Sequence, residues 1–139
     1  MDRRAYLATV AAGVAAGLAG CGSGGAATTR DYDVGTRDSA FVPRRYAAAV
    51  GETVRWKNTD VRSHTVTAYQ ARLPAGAAYF ASGGFTTERA ARDGFYQHLE
   101  GALAHGDTFE HRFDVAGAYP YFCVPHERSG MVGTVVVEP

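Results

Sequence analysis

Short runs of alternating apolar and polar residues, separated by turn residues, cover much of the chain after residue 30. The clearest run places Val54 and Trp56 on one face and Arg55 and Lys57 on the other, as a half-buried strand requires. Many short strands separated by turn residues, with little helix, predict an all-β chain folded as a β-sandwich. The predicted strands cover residues 32–36, 39–42, 46–50, 53–58, 64–69, 107–115, 119–124 and 131–138.

Two features qualify this strand pattern. Residues 46–50 and 53–58 are separated by only two turn residues, which predicts that they pair as a hairpin. Between residues 70 and 106 the alternation lapses, and only residues 86–97 have helical character, with Thr87 as the candidate N-cap. We therefore expect a long excursion from the sandwich that carries one short helix.

The first twenty residues have the pattern of an export signal. Arg3 and Arg4 form a twin arginine. The uncharged run at residues 5–19 is shorter than the roughly 20 apolar residues of a membrane-spanning helix. The run has no polar face, which argues against a buried amphipathic helix. We therefore assign residues 1–20 to an export signal that takes no part in the fold.

The signal ends in Leu18-Ala-Gly-Cys21, which resembles a lipobox, the motif in which the Cys sulfur receives a diacylglycerol. The small residues that follow predict a flexible tether. We assign residues 21–38 to the lipidated Cys21 and this tether, and residues 39–139 to the folded domain. Acyl chains at Cys21 would anchor the domain stably to the outer face of the cell membrane, because two acyl chains give stable membrane binding whereas a single one binds only marginally.

The charge balance argues against a nucleic-acid partner, since 14 basic residues offset 14 acidic ones and no basic face is evident. Cysteine and methionine are sparse, with two of each in the chain. If Cys21 is lipidated, Cys123 has no internal disulfide partner, and an exported thiol would be open to oxidation unless buried or bound to a metal.

The loop between the last two predicted strands holds a thiol, an imidazole and a thioether in Cys123, His126 and Met131. These groups are the ligands that suit copper cycling between Cu(I) and Cu(II). Copper in this role takes two imidazoles and one thiolate near a plane, with a thioether farther off on the axis. The second imidazole has to come from elsewhere, and His64, at the start of a predicted strand, is the candidate.

Each of these residues also has a simpler structural interpretation. Cys123 could be a buried structural cysteine, and His64 alone could be an ordinary surface or core histidine. Met131 could fill the core, because the axial position of such a copper site tolerates replacement. The other histidines are assigned to structure or solvent: His98, His105 and His111.

Residues 119–138 closely resemble the C-terminal copper loop of the plastocyanin-like blue copper proteins. Residues 51–58 and 63–66 resemble the earlier His-bearing segment of the same family. The export signal, the lipobox and residues 73–85 are most similar to the halocyanins, a haloarchaeal branch. The resemblance covers roughly residues 39–139.

This resemblance implies a Greek-key β-sandwich of the cupredoxin type, one type 1 copper ion and one-electron transfer. It also implies that the copper ligands are the four residues at the matching positions, which are His64, Cys123, His126 and Met131. Phe122 stands where the plant proteins have a tyrosine before the ligand cysteine, and no acidic cluster is visible. The docking route of the plant proteins is therefore not expected here.

We expect a membrane-tethered, extracytoplasmic electron carrier rather than an enzyme. Redox proteins of a membrane electron-transport chain would dock transiently near His126 on a monomeric carrier. The alternative is copper delivery or storage without redox turnover, although such sites usually use Met-rich or Cys-x-x-Cys sets that this chain lacks. A hydrolase built on Cys123 would need an oxyanion arrangement that the loop does not offer. A copper oxidase would need a second copper centre.

Overall fold

A computed structural model describes residues 30–139, and its compact unit runs from Tyr32 to Pro139. The predicted export signal and the lipidation site at Cys21 lie outside the described residues. The unit begins before the predicted domain start at residue 39, because Val34 is fully buried and forms a parallel bridge with Trp56. Across the described part of the chain, no helix has both the length and the apolar character needed to cross a membrane.

Eight strands and one α-helix form the unit within residues 30–139. The strands are β1 (Gly35–Arg37), β2 (Ala40–Val42), β3 (Arg45–Ala49), β4 (Glu52–Lys57), β5 (Thr67–Ala68), β6 (Thr108–Phe113), β7 (Gly117–Phe122) and β8 (Val132–Glu138). The α-helix, α1, spans Glu88–His98, and two 3-10 helices span Gln70–Arg72 and Val124–Ser129. The prediction of one short helix within a long excursion is confirmed.

The strands form two layers. One layer has the order β3-β8-β7-β5, in which β8 runs parallel to β3 and antiparallel to β7. The other layer combines the antiparallel pairs β1-β2 and β4-β6, which the bridge between Val34 and Trp56 joins. This arrangement confirms the predicted all-β sandwich.

Aromatic side chains from both layers meet in the core. Trp56 from β4 lies edge-on to Tyr121 from β7, with 5.4 Å between ring centroids. Phe113 from β6 meets Tyr119 from β7 in the same way at 4.7 Å. Ring pairs of this kind add about 0.5–1.5 kcal/mol each to the gain from burial. The alternation predicted for β4 is confirmed, since Val54 and Trp56 are buried while their strand neighbours are not.

The predicted hairpin of residues 46–50 and 53–58 is wrong. β3 pairs with β8, where Tyr46 lies opposite Val135, and β4 pairs with β6. Gly51, with φ of +91°, turns the chain from one layer to the other. Two alternating runs joined by a tight turn can pair with each other or can each pair with another strand. The sequence around the turn does not distinguish these possibilities, because the choice of partner depends on strands that lie far along the chain.

The predicted strand at residues 64–69 is shorter in the structure. Only Thr67 and Ala68 pair as β5, while His64 forms a single bridge with Leu103. The helix prediction agrees better with the structure, since α1 begins one residue after Thr87. The Thr87 side chain accepts a hydrogen bond from the Ala90 amide at 3.1 Å. Thr87 is therefore the N-cap, as predicted.

Candidate metal centre

The first wall of the candidate centre is the segment that follows β4 and carries His64. The backbone amide of His64 donates to the Leu103 carbonyl at 3.2 Å, and the Leu103 amide donates back at 2.7 Å. Asn58 is fully buried, and its side-chain amide donates to the carbonyls of Arg62 and Leu103, both at 2.7 Å. One buried amide side chain thus holds both sides of the segment that positions His64.

The second wall is the loop between β7 and β8, which its own backbone closes. The Cys123 amide donates to the Met131 carbonyl at 3.1 Å, and the Met131 amide donates to the His126 carbonyl at 3.1 Å. The His126 amide donates to the Cys123 carbonyl at 3.2 Å. Gly130, with φ of +92°, ends the 3-10 helix in a conformation that favours glycine. The two strand ends therefore fix where the loop residues lie.

Three of the four predicted ligands converge with their donor atoms facing one another. Nδ1 of His64 lies 3.2 Å from Nδ1 of His126. Sγ of Cys123 lies 3.7 Å from Nδ1 of His64 and 3.4 Å from Nδ1 of His126. Met131 is fully buried in the same hydrophobic cluster as Cys123. The fold thus brings residues far apart in the chain into a group that could hold a metal ion.

The thiol of Cys123 is completely buried. Burial raises its pKa to about 11, although the Thr65 amide, which donates to Sγ at 3.3 Å, acts in the opposite direction. The Thr65 hydroxyl accepts from the Val124 amide at 2.8 Å and so links the two walls. The thiol is protonated at neutral pH without a metal, so metal binding at Cys123 releases a proton.

The two histidines differ in exposure. His64 is buried, whereas His126 is the one member of the group of three that is partly exposed. Partial burial lowers the pKa of His126, and the nearby His64 and Arg62 act in the same direction. His126 is therefore neutral near pH 7, which is the state that ligates metals.

A carboxylate that the sequence analysis did not select contacts the first wall. Oδ2 of Asp60 lies 3.0 Å from Nε2 of His64, the ring nitrogen that faces away from Cys123. This hydrogen bond is the main cause that lowers the pKa of Asp60 to about 2. A carboxylate four residues before a candidate ligand histidine is the sequence signal that could have indicated it.

A second missed feature joins the helix of the excursion to the loop. Arg92 of α1 makes two hydrogen bonds to the Glu127 carboxylate, at 2.7 and 3.2 Å, and the Tyr69 hydroxyl donates to the same carboxylate at 2.7 Å. The Arg92 guanidinium also lies 4.2 Å from the ring centroid of Phe122, the residue before Cys123. We call Arg92, Glu127 and Tyr69 the loop clamp. It lowers the pKa of Glu127, chiefly through Arg92.

The donor set fits copper. Two imidazole nitrogens and one thiol sulfur, with a thioether in the same buried cluster, match the His₂Cys site with a weak axial methionine that blue copper proteins use. Hard cations such as Mg²⁺ and Ca²⁺ prefer oxygen ligands, and the group of three offers none.

Comparisons with known proteins identify relatives among the copper-binding proteins. The family model of copper-binding proteins of the plastocyanin/azurin family matches residues 29–138. Plastocyanin from Scenedesmus fuscus is 32% identical over 98 residues, which cover 70% of this chain and 86% of that protein. Amicyanin from Paracoccus versutus has a TM-score of 0.52 and 29% identity, covering 81% of this chain and 88% of that chain. A purple cupredoxin from Nitrosopumilus maritimus shares the fold, with a TM-score of 0.50 and 24% identity over 78% of this chain and 100% of that chain.

Fold and donor set together define a plastocyanin-like blue copper protein with a cupredoxin sandwich. The chain belongs to the plastocyanin/azurin family of copper-binding proteins. Its cofactor is one copper ion, as predicted. The narrower resemblance to the halocyanins stays a prediction.

Proposed function

We propose that this protein carries single electrons between redox proteins outside the cytoplasm. The observation that supports this most is the convergence of Nδ1 of His64, Nδ1 of His126 and Sγ of Cys123 at 3.2–3.7 Å. This is a donor set for an ion that changes oxidation state by one electron. Plastocyanin among its relatives favours the same function.

Each donor has a separate role in this proposal. His64 and His126 supply imidazoles, Cys123 supplies a thiolate, and Met131 supplies a thioether as the weak axial ligand. The backbone hydrogen bonds that join Cys123 to Met131 and Met131 to His126 support the assignment of Met131. The bound copper would accept and release one electron, while the chain holds the donors in nearly fixed positions, so that little rearrangement accompanies the change.

Electrons would enter and leave through His126. Of His64, Cys123 and His126, only His126 is partly exposed, so its ring joins the donor group to the surface. Redox partners would dock there briefly on a monomeric carrier, through a small interface of the kind that transient electron transfer uses.

The proposal also includes the membrane anchor. The twin arginine, the uncharged run and the lipobox at Cys21 support export and lipidation of the chain. Mass spectrometry of protein purified from membranes should find a chain that begins at a diacylglycerol-modified Cys21. A Cys21→Ala variant should leave the membrane fraction. An unmodified chain that still contains residues 1–20 would contradict this part of the proposal.

The function is tested on the copper-loaded protein by spectroscopy and voltammetry. The oxidised protein should show a strong thiolate-to-copper charge-transfer band in the visible range that disappears on reduction. A reversible one-electron wave should accompany it. Tight copper binding without a reversible wave would favour delivery or storage, and a protein that binds no copper would overturn the proposal.

A further inference from the structure

The carboxylate of Asp60 contacts the copper site from behind His64. Its Oδ2 atom lies 3.0 Å from Nε2 of His64, while Nδ1 of the same ring faces Cys123 and His126. The His64 ring is 1% exposed and the Asp60 side chain is 14% exposed. The carboxylate is therefore part of the wall of the site rather than a mobile surface group.

The chain around Asp60 holds this carboxylate in place. Its Oδ1 atom accepts from the Val61 amide at 2.7 Å, and Oδ2 also accepts from the Ser39 amide at 3.3 Å. The Asp60 amide donates to the Asn58 side chain at 2.8 Å, and the Asp60 carbonyl lies 3.0 Å from Nδ1 of His105. Both carboxylate oxygens and both backbone polar groups of Asp60 thus have partners, and its orientation toward His64 does not depend on a bound metal.

We propose that Asp60 is a positioning residue that sets the tautomer of His64 and lowers the reduction potential of the copper, an inference that rests on the function proposed above. A carboxylate at Nε2 keeps the proton on that nitrogen, so the lone pair lies on Nδ1, the atom that faces Cys123. A fixed negative charge behind a ligand also stabilises Cu(II) more than Cu(I), because the oxidised ion carries the larger charge.

Asp60→Asn removes the charge and keeps the size of the side chain. Loss of a group that hydrogen-bonds a metal-ligating histidine typically weakens metal binding by about 10–100-fold. We expect Cu(II) affinity to fall about tenfold more than Cu(I) affinity, which raises the reduction potential by about 59 mV for one electron. Asp60→Glu, which restores a carboxylate, should recover part of this change.

The matched control is Asp38→Asn. Asp38 lines the same surface cleft as Asp60, whereas the ring nitrogens of His64 contact Asp60, Cys123 and His126. Asp38 has φ of +51°, and asparagine tolerates this left-handed conformation as well as aspartate does. Removing this charge should shift the potential by less than a third of the Asp60→Asn shift.

The experiment measures the reduction potential and both copper affinities of the wild type and the three variants. It also measures the ¹⁵N spectrum of the histidines in the Cu(I) wild type, which reports the tautomer without any substitution. A protonated Nε2 of His64 and a rise in potential specific to Asp60→Asn would support the proposal. An unprotonated Nε2, an unchanged potential in Asp60→Asn, or an equal shift in Asp38→Asn would overturn it. A wild type without a reversible one-electron wave would instead overturn the proposed function.

Discussion

The two walls of the metal centre are held in different ways. The wall that carries His64 is held from inside the protein by the buried Asn58 amide and by backbone bonds to Leu103. The loop at residues 123–131 is held at its ends by two strands, and its outer side is held by the charged groups of the loop clamp. Buried hydrogen bonds therefore position one imidazole, and partly exposed ionic contacts help to position the other.

This difference has a physical reason. Neutral hydrogen bonds suit a buried wall, because a buried charge without a partner is costly, and the Asp60 carboxylate that contacts His64 has partners at both oxygens. The second wall has to reach the surface if electrons are to pass through His126, so it cannot be buried to the same degree. Charge-assisted hydrogen bonds are stronger than neutral ones and stabilise a segment that the core does not cover. Three substitutions test this comparison, and a fourth, outside both walls, measures a background contribution to stability.

The largest effect is expected for Cys123→Ser, which changes the residue at the junction of the two walls. Serine keeps the shape of the side chain but removes the soft thiolate that the site requires. The visible charge-transfer band of the Cu(II) protein should be lost completely, as measured by absorption spectroscopy. A variant that kept the band would show that Cys123 is not a ligand.

The next largest effect is expected for Asn58→Ala in the buried wall. This change leaves the Thr36 hydroxyl, the Asp60 amide and the Arg62 carbonyl without the Asn58 side chain as partner, whereas the Leu103 carbonyl keeps the His64 amide. Each buried polar group left without a partner costs about 1–3 kcal/mol, so we expect a loss of about 3 kcal/mol or more in the free energy of unfolding. Urea unfolding of the metal-free protein measures it. A loss below about 1 kcal/mol would contradict the role assigned to Asn58.

A smaller effect is expected for Glu127→Gln in the loop clamp. The variant keeps the shape of the side chain but loses the charge that Arg92 binds, and we expect a cost of about 1 kcal/mol. Hydrogen exchange should become faster at residues 124–130 while the visible band persists. The control is Arg112→Gln, which breaks the exposed pair with Asp114 and should cost nothing measurable. Unchanged exchange in the loop would show that the clamp does not hold it.

The smallest effect is expected for His111→Phe, which lies outside both walls. Burial against Phe80 and Phe113 lowers the pKa of His111, and the charge of Asp114 only partly opposes this shift. Below about pH 6.5 the unfolded chain takes up a proton that the folded His111 resists. This residue therefore makes the free energy of unfolding decrease as the pH falls. Between pH 7 and pH 5 the phenylalanine variant should lose less of its free energy of unfolding than the wild type does. The difference between the two losses should be below about 1 kcal/mol.

Urea unfolding of metal-free wild type and variant at the two pH values isolates His111, because the other histidines are common to both proteins. If the free energy of unfolding falls equally in the two proteins between pH 7 and pH 5, His111 does not contribute to the pH dependence of stability.

Local patterns were sufficient for several features of this protein. The alternation around Trp56 predicted the buried face of β4, and Thr87 predicted the start of α1 within one residue. The short spacing from Cys123 to His126 placed two donors in one loop. Each of these features depends on residues within a few positions of one another, where side-chain periodicity and hydrogen bonding to the nearby backbone decide the outcome.

The sequence by itself thus determined the strand-rich class of the fold, the short helix of its excursion, and the placement of Cys123 and His126 in one loop. Only the tertiary structure decided that β3 pairs with β8 rather than β4, that Asp60 contacts His64 from behind, and that Arg92 binds Glu127. The physical reason is that hydrophobic periodicity selects which face of a segment is buried. The partner that covers this face is selected by packing among segments far apart in the chain.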